Sequence, residues 1–240
     1  MKLFNPLLLA AASFVSFAGG AQAVFVEYDV SGTSAGVPVT SQATFTTSLG
    51  HLVLTLQNTT AHTADAGQLL TGLRFTLSPN LASVATLTSA SAIPRNIAAD
   101  GSYSDGSAQS LLGTWESTLN AGVYQVDFNP NAEFAIVGPA DGETISMAGL
   151  YHANGSIEGN PGHNPFTAKS ATFVFSSPGI TESTSIGNVS FIYNTALSNV
   201  IPGHEVPTPP PSVPEPSTAL FGLALVGATG AVRSRKSAVR

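Results

Sequence analysis

Ser34 is the residue whose sequence context most resembles that of a catalytic nucleophile. It stands in residues 32–36, Gly-Thr-Ser-Ala-Gly, which fit the G-x-S-x-G pattern of a nucleophile elbow. That elbow needs a strand before the serine and a helix after it, and residues 37–40, Val-Pro-Val-Thr, cannot open such a helix. The pattern is typical of a loop between strands, and we predict no hydrolase chemistry at Ser34.

Histidines offer a second candidate chemistry, which is metal binding. His152, Glu158 and His163 share one stretch of sequence and could meet around an ion. No two histidines are spaced as in the H-E-x-x-H zinc pattern, however, and loops rich in Asn and Gly bring polar residues together without ligating anything. We therefore predict no metal site there.

Two Asp-Gly turns, at Asp100 and Asp105, present carboxylates that a hard cation prefers. Calcium needs six to eight oxygen ligands, and the EF-hand spacing with its closing glutamate is missing. The default interpretation is two solvated turns and no cofactor. Calcium acting as a loop staple at Asp100 and Asp105 is the alternative.

Large aromatic residues and scattered acids are the candidates for carbohydrate chemistry. Trp115, Tyr124 and Tyr151 could form a platform that stacks on a sugar ring, although aromatics at strand spacing usually belong to a core. A glycosidase would need two convergent carboxylates. Its candidates are Glu116, Asp127, Glu133 and Glu143. Acids spaced in this way along strands usually face water, so we predict that the protein is not an enzyme.

Amino-acid composition excludes several classes of protein. The chain has 240 residues, no cysteine, and only 9% charged residues, against about 25% in an ordinary soluble domain. These values exclude disulfide scaffolds, thiolate metal sites and highly charged disordered chains. Between the two termini, three cations stand against fourteen acids, a formal charge of −11. Such an acidic surface repels nucleic acid, and no nucleic-acid partner is expected.

Residues 24–205 show apolar residues at period two, which indicates strands. The alternation is clear in residues 24–30, 43–58 (with a hairpin turn at Gly50), 69–77, 123–128, 171–175 and 189–193, and weaker in residues 84–88, 134–137 and 145–151. Residues 80–122 are rich in Ser, Ala and Gly and predict a long connection. The fold class predicted is all-β: an antiparallel, jelly-roll-like β-sandwich, with an N-terminal signal helix and a C-terminal transmembrane helix.

The N-terminal residues have the pattern of a signal peptide. Lys2 precedes an apolar run of about twelve residues, and Ala21-Gln22-Ala23 has the small-x-small form that signal peptidase cleaves. That run is too short to cross a hydrocarbon core about 30 Å thick. Residues 1–23 are therefore predicted to be removed, and a retained anchor or buried core helix is the alternative.

The C-terminal residues have three parts in a fixed order. Residues 206–216 form a proline-rich spacer that ends in Pro214-Glu215-Pro216. An uncharged, mostly apolar segment follows at 217–232, and residues 233–240 carry the basic cluster Arg233, Arg235 and Lys236. The apolar segment would span about 24 Å as a helix, and the flanking cations would stay cytoplasmic. We predict a single transmembrane helix that leaves the body outside the cytoplasm.

This tail resembles the PEP-CTERM sorting signal of exosortase-dependent surface proteins. The resemblance covers residues 213–240 and implies a Gram-negative bacterium in which a membrane enzyme, the exosortase, cuts near Pro214-Glu215-Pro216. Such families accompany exopolysaccharide production. An ordinary single-pass anchor behind a proline-rich stalk is the alternative.

The body resembles one exosortase-associated family of secreted proteins without an assigned activity. The resemblance rests on residues 43–58, 70–75 and 188–197. Relatives usually have Gly where this chain has Asn194. The resemblance implies location and no chemistry.

Together these patterns predict an exported, non-enzymatic surface or extracellular-matrix protein. It is expected to be held transiently at the inner membrane and then released to the cell surface. Its expected partners are signal peptidase, an exosortase, the membrane and exopolysaccharide. A carbohydrate-binding module is the first alternative, and an enzyme with convergent carboxylates or a histidine cluster is the second.

Overall fold

The computed structural model describes residues 24–79, 81, 83–128, 133–197 and 199–207. Within these residues the chain forms strands and one short 3-10 turn, Ala66–Gln68. The strands are β1 (Val24–Ser34), β2 (Val37–Ser48), β3 (His51–Asn58), β4 (Leu70–Ser78), β5 (Thr86–Ile97), β6 (Tyr103–Asp105), β7 (Gln109–Ser110), β8 (Trp115–Asn120), β9 (Val123–Phe128), β10 (Ile136–Val137), β11 (Phe166–Ser176), β12 (Ser185–Tyr193), β13 (Asn199–Pro202) and β14 (His204–Val206). The all-β class is confirmed.

Tight hairpins order the first three strands. Ala35 and Gly36, both at positive φ, form the turn between β1 and β2. Gly50, with φ of +81°, lies in the turn between β2 and β3. Ser34 is therefore the last residue of a strand in a hairpin and is 1% exposed, which agrees with the prediction of no nucleophile elbow there.

Hydrogen bonds link the described strands into one mixed sheet. Its main path runs β13-β12-β4-β10-β11-β3-β2-β1-β14, with β9 and β8 branching from β4, and β5, β6 and β7 from β11. All pairs are antiparallel except one, because β10 pairs in parallel with β11 at Ile136 and Val137. The predicted purely antiparallel arrangement is therefore corrected: β10 also pairs with β4, so this short strand connects two antiparallel regions.

The core lies between these two regions. The ring of Phe75, on β4, is 5.3 Å from Phe45 on β2 and 5.7 Å from Phe175 on β11, measured between centroids. Neither β2 nor β11 neighbours β4 in the path, so these rings meet across the interior and not along the sheet. Leu52, Leu54 and Leu56 of β3 are fully buried, as their alternation predicted.

Two predictions from the sequence are wrong in this part of the chain. Residues 80–122 are not mainly a connection, since β5 to β8 lie there. Residues 145–151 do not form a strand, and only an isolated bridge joins Asp141 to Leu150. The predicted signal helix and transmembrane helix fall outside the described residues. Among those described, no helix is both long and apolar enough to cross a membrane.

The backbone conformation at Asn194 explains how this residue can stand where relatives of the body usually have Gly. Its φ is +71°, a left-handed conformation that glycine adopts freely and that asparagine tolerates better than most side chains. Its N–H donates to the carbonyl of Leu69 at 3.0 Å, and its carbonyl accepts from the N–H of Leu197 at 3.0 Å. Glycine and asparagine can therefore serve the same turn.

Candidate functional sites

A buried arginine organises the largest group of charged side chains that the structure describes. Arg95, on β5, is 0% exposed and makes two-pronged contacts with two carboxylates. Its Nε and Nη2 donate to Asp105 at 2.7 and 2.8 Å, and its Nη1 and Nη2 donate to Glu143 at 2.8 and 2.9 Å. Nη1 also donates to the hydroxyl of Tyr151 at 2.9 Å. All five guanidinium N–H groups are thereby used.

Neighbouring groups surround the guanidinium of Arg95, while Asp105 and Lys169 at the edge of the cluster are 37% and 44% exposed. The ring of Tyr103 lies 3.8 Å from the guanidinium carbon, and the hydroxyl of Tyr151 donates to the carbonyl of Gly138 at 2.7 Å. Lys169 donates from Nζ to Glu143 at 2.9 Å. Two cations thus face two carboxylates, and Arg95 keeps no free donor for an anionic ligand. The cluster is a brace that fixes the chain around Glu143 to β5.

Burial and hydrogen bonding act against each other on the ionisation of this cluster. Burial alone would lower the pKa of Arg95, but the hydrogen bonds to Asp105 and Glu143 raise it above its usual value. Burial would raise the pKa of Glu143, but hydrogen bonds from Arg95, Lys169 and the Ala140 N–H lower it from 4.5 to about 2. Both groups are therefore charged near neutral pH.

The lowered pKa of Glu143 predicts a loss of stability in acid. In the unfolded chain the carboxylate takes up a proton near pH 4.5, whereas in the folded protein it does so only near pH 2. The unfolded state thus binds more protons between these values, so the contribution of Glu143 is complete above about pH 4.5 and falls as pH drops toward 2. Denaturant unfolding at several pH values should show the stability gap between wild type and Glu143→Gln narrowing across this window. A constant gap would contradict the prediction.

The predicted sugar platform is corrected by the burial of its three rings. Trp115, Tyr124 and Tyr151 are 1%, 4% and 1% exposed, so no ring face is open to stack on a sugar. Their polar atoms have internal partners. The indole N–H of Trp115 donates to the carbonyl of Phe134 at 3.1 Å, and the hydroxyl of Tyr124 accepts from the Ala85 N–H at 3.0 Å. All three are core residues: Trp115 and Tyr124 lie on strands, whereas Tyr151 lies in a loop.

Asp100 and Asp105, the candidate calcium ligands, are held by different partners. Asp100 accepts from the N–H and hydroxyl of Ser102 at 3.0 and 2.6 Å, and this bonding lowers its pKa. Asp105 is paired with Arg95. Among the described residues, no group of three or more His, Asp or Glu side chains is arranged to hold a metal ion.

His152, Glu158 and His163 also contact separate partners. An oxygen of Glu158 accepts from the Ala153 N–H at 2.6 Å, and His163 Nδ1 lies 2.6 Å from the carbonyl of Ser156. The ring of His152 lies 5.8 Å from that of His62, between centroids. These contacts order the loop locally.

An open groove with a mixed polar and apolar lining lies between β5 and β8, and no pattern in the sequence had indicated it. Its volume is about 530 Å³, its large apolar lining residues are Val84, Leu87, Leu112, Trp115, Leu119 and Tyr124, and its polar lining residues are Thr86, Glu116, Ser117 and Thr118. Within the described chain, β8 pairs only with β9, and the first residues of β5 pair only with β11. Apart from an isolated bridge between Leu112 and Trp115, neither strand has a further strand partner at these positions among the described residues. Two short stretches with weak patterning, residues 84–87 and 112–119, supply the groove, which explains why the sequence did not reveal it.

Comparison with known proteins identifies the tail. The family model described as the PEP-CTERM protein-sorting motif matches residues 212–236, which include Pro214-Glu215-Pro216 and Arg233, Arg235 and Lys236. Neither the curated proteins nor the solved structures gave a match. The predicted resemblance of the tail is confirmed: the sorting motif at residues 212–236 supports an exosortase-dependent PEP-CTERM protein. The motif supports export by exosortase sorting, with transient membrane anchoring before arrival at the cell surface.

Proposed function

We propose that the body is a non-enzymatic component of the cell surface or extracellular matrix, with a structural or adhesive role. The sorting motif delivers the protein to the surface, and the open groove between β5 and β8 is the observation that carries the role proposed for the body. Unpaired strand edges beside exposed apolar side chains are typical of surfaces that bind other macromolecules.

The charged side chains of the body support the same proposal. Arg95 spends all of its donors on internal partners, and Glu143 is held by Arg95 and Lys169. Asp127 is half-buried, which raises its pKa, and Gln125 donates to it at 2.5 Å. Each of these groups thus has an internal hydrogen-bond partner, which supports a structural role.

We further propose the processing that precedes this role. Residues 1–23 direct export, and signal peptidase cuts after Ala21-Gln22-Ala23. Residues 217–232 then hold the protein in the membrane, with Arg233, Arg235 and Lys236 on the cytoplasmic side, until an exosortase cuts near Pro214-Glu215-Pro216.

A titration of added protein distinguishes a structural role from catalysis. Cells of the producing bacterium that lack this protein should cohere less well, and processed protein from wild-type cells should restore cohesion. A structural component acts in proportion to the amount bound, so restoration should saturate only when the surface is loaded to wild-type density. Full restoration at about one hundredth of that density would contradict the proposal, since only a turnover reaction works at such a ratio.

Removing residues 213–240 tests the sorting step separately. The shortened chain lacks the apolar segment at 217–232 and the basic cluster that follows it, so we expect it to leave the cell without membrane retention or exosortase cleavage. Immunoblots of membrane, surface and medium fractions measure this. The matched control is Arg74→Met, which changes only the body and should sort normally. Unchanged surface retention of the shortened chain would contradict the sorting step.

A further inference from the structure

We propose that residues 199–206, which comprise β13 and β14, act as a strap that closes the body only after the rest of the body has been exported. The strap is the last part of the body, and the proline-rich spacer follows it directly. This inference rests on the topology proposed above, in which the body lies outside the cytoplasm. It adds an order of folding that neither the sorting motif nor the proposed role of the body contains.

The two ends of the hydrogen-bonded path are one continuous stretch of chain. β13 forms one end of the path by pairing with β12, and β14 forms the other end by pairing with β1. A single residue, Gly203, separates β13 from β14. The strap is therefore the link that closes the path upon itself, between the region around β12 and the region around β1.

The strap covers two strand edges beside the core. Among the described strands, β1 pairs only with β2 and the strap, and β12 pairs only with β4 and the strap. Tyr28 and Val30 of β1 and Phe191 of β12 are 6%, 3% and 0% exposed. A body without the strap would have two unpaired edges next to these core residues, an arrangement that favours aggregation.

Contacts with both neighbours hold the strap in place. The Gly203 N–H donates to the carbonyl of Val189 on β12 at 2.9 Å, and the Asn199 amide donates to the hydroxyl of Ser34 on β1 at 3.1 Å. Ile201 is the strap residue that packs against the main core cluster. Because a pairing between only two strands is marginal in water, we expect the strap to dock when both β1 and β12 are in place.

The pairing of the strap with β1 joins the two ends of the body. Glu27 pairs with Val206, and Asp29 pairs with His204. Contacts between segments so far apart require the closure of a long loop and therefore form late. β1 also directly follows the predicted signal peptide, so it is the first strand to cross the membrane and the strap is the last.

Completion of the fold thus depends on delivery of the chain through Val206. While the strap is on the cytoplasmic side, the exported part of the body keeps both edges open. The exosortase cut expected near Pro214-Glu215-Pro216 lies beyond the strap, so the released protein retains it. Closure of the strap therefore precedes release and does not depend on it.

Gly203 is a point at which the strap can be loosened without deleting it. A Cβ atom there would lie 2.8 Å from Cε2 of Phe191, whose ring is fully buried. Gly203→Val should push the strap away from β12 and lower the melting temperature of the processed protein by about 5–10 °C. Gly155→Val is the matched control, because a Cβ atom there meets nothing within 4 Å, and it should shift melting by less than about 2 °C. Equal shifts would contradict close packing of the strap.

An anchor inserted on either side of the strap tests the order of folding. Both chains lack residues 213–240 and carry residues 217–236 as an insertion. In the early-anchor chain the insertion follows Ser198 and keeps the strap on the cytoplasmic side, whereas in the late-anchor chain it follows Pro207 and leaves the strap outside. Protease added to spheroplasts of producing cells should digest the early-anchor body at least about tenfold faster than the late-anchor body.

A third chain separates the position of the strap from the effect of the early anchor. It is the early-anchor chain with a further copy of residues 199–206 ahead of Val24, joined by a short Gly/Ser linker. Since Val206 pairs with Glu27, this copy can reach its place beside β1, and the chain should be as resistant as the late-anchor chain. A resistant early-anchor chain, or a sensitive third chain, would overturn the proposal.

Antibody labelling of the body on unbroken spheroplasts checks the topology independently. All three chains should be labelled, because the body precedes the inserted anchor in each of them. Absence of labelling would refute the topology on which the strap proposal rests. Labelling together with equal digestion of the early-anchor and late-anchor chains would refute the strap proposal and leave the topology intact.

Discussion

Replacing Arg95 with methionine is expected to lower the free energy of unfolding by about 3–5 kcal/mol. Methionine fills a similar space but leaves Glu143, whose side chain is 6% exposed, without its main partner. Asp105 loses both of its hydrogen bonds to the guanidinium, and Tyr103 loses the cation over its ring. A buried carboxylate deprived of its partner is among the most costly changes a core can undergo. Denaturant unfolding at pH 7 measures the loss.

Arg74 supplies the matched control for this substitution. It is a half-buried arginine on β4 whose Nε donates to the side chain of Gln125 at 2.6 Å. Its partner is uncharged, so Arg74→Met should cost no more than about 1.5 kcal/mol. Adding Glu143→Leu to Arg95→Met should recover part of the loss, because it removes a buried carboxylate that would keep only Lys169 as a charged partner. Equal losses for Arg74→Met and Arg95→Met would show that the buried cluster contributes no special stability.

Sequence alone predicts the strands that have large apolar residues on one face. The hairpin of residues 43–58 and the strand around Phe75 follow from period-two alternation and from Gly50 at the turn. One face of these strands is buried against the other region of the sheet. Burial of one face requires apolar residues at alternate positions, which is the pattern that the sequence shows.

β5 shows why the alternation fails elsewhere. Its inward positions include Ala90 and Ala92, which are 1% and 7% exposed but too small to produce a clear apolar pattern. Pro94 also lies within this strand, where a proline normally predicts a break. The chain tolerates it because the outer edge of β5 is only partly paired there, by the short strands β6 and β7.

The arginine cluster and the groove depend on tertiary placement, which a single sequence does not contain. Arg95, Asp105, Glu143 and Lys169 come from segments up to 74 positions apart, and the register of β5 with β6 sets Arg95 opposite Asp105. One clue was present: the body has only three cations, so an arginine at an inward strand position needs an acidic partner. Nothing comparable marked residues 145–151, since their apolar residues suit a buried strand as well as an exposed loop.

Phe75→Ala is expected to destabilise the protein by about 3–5 kcal/mol, because this ring is the point where both regions of the sheet meet. Phe75 is 0% exposed and contacts Phe45 and Phe175 across the core. It also stacks on Tyr124 at 5.5 Å. Truncation leaves a cavity that the flanking strands cannot close, because β12 and β9 pair with β4 on its two sides.

Leu49→Ala is the matched control for Phe75→Ala. It also truncates a large apolar side chain, but one that lies outside the core. Leu49 is 71% exposed in the β2–β3 turn, so its truncation should change the unfolding free energy by less than about 0.5 kcal/mol. Phe75→Leu should fall between the two, since it retains part of the ring's volume. A difference below about 1 kcal/mol between Phe75→Ala and Leu49→Ala would mean that the two regions do not share one core. The cysteine-free body has no disulfide to hold it together, so it relies on that shared burial to remain folded after export.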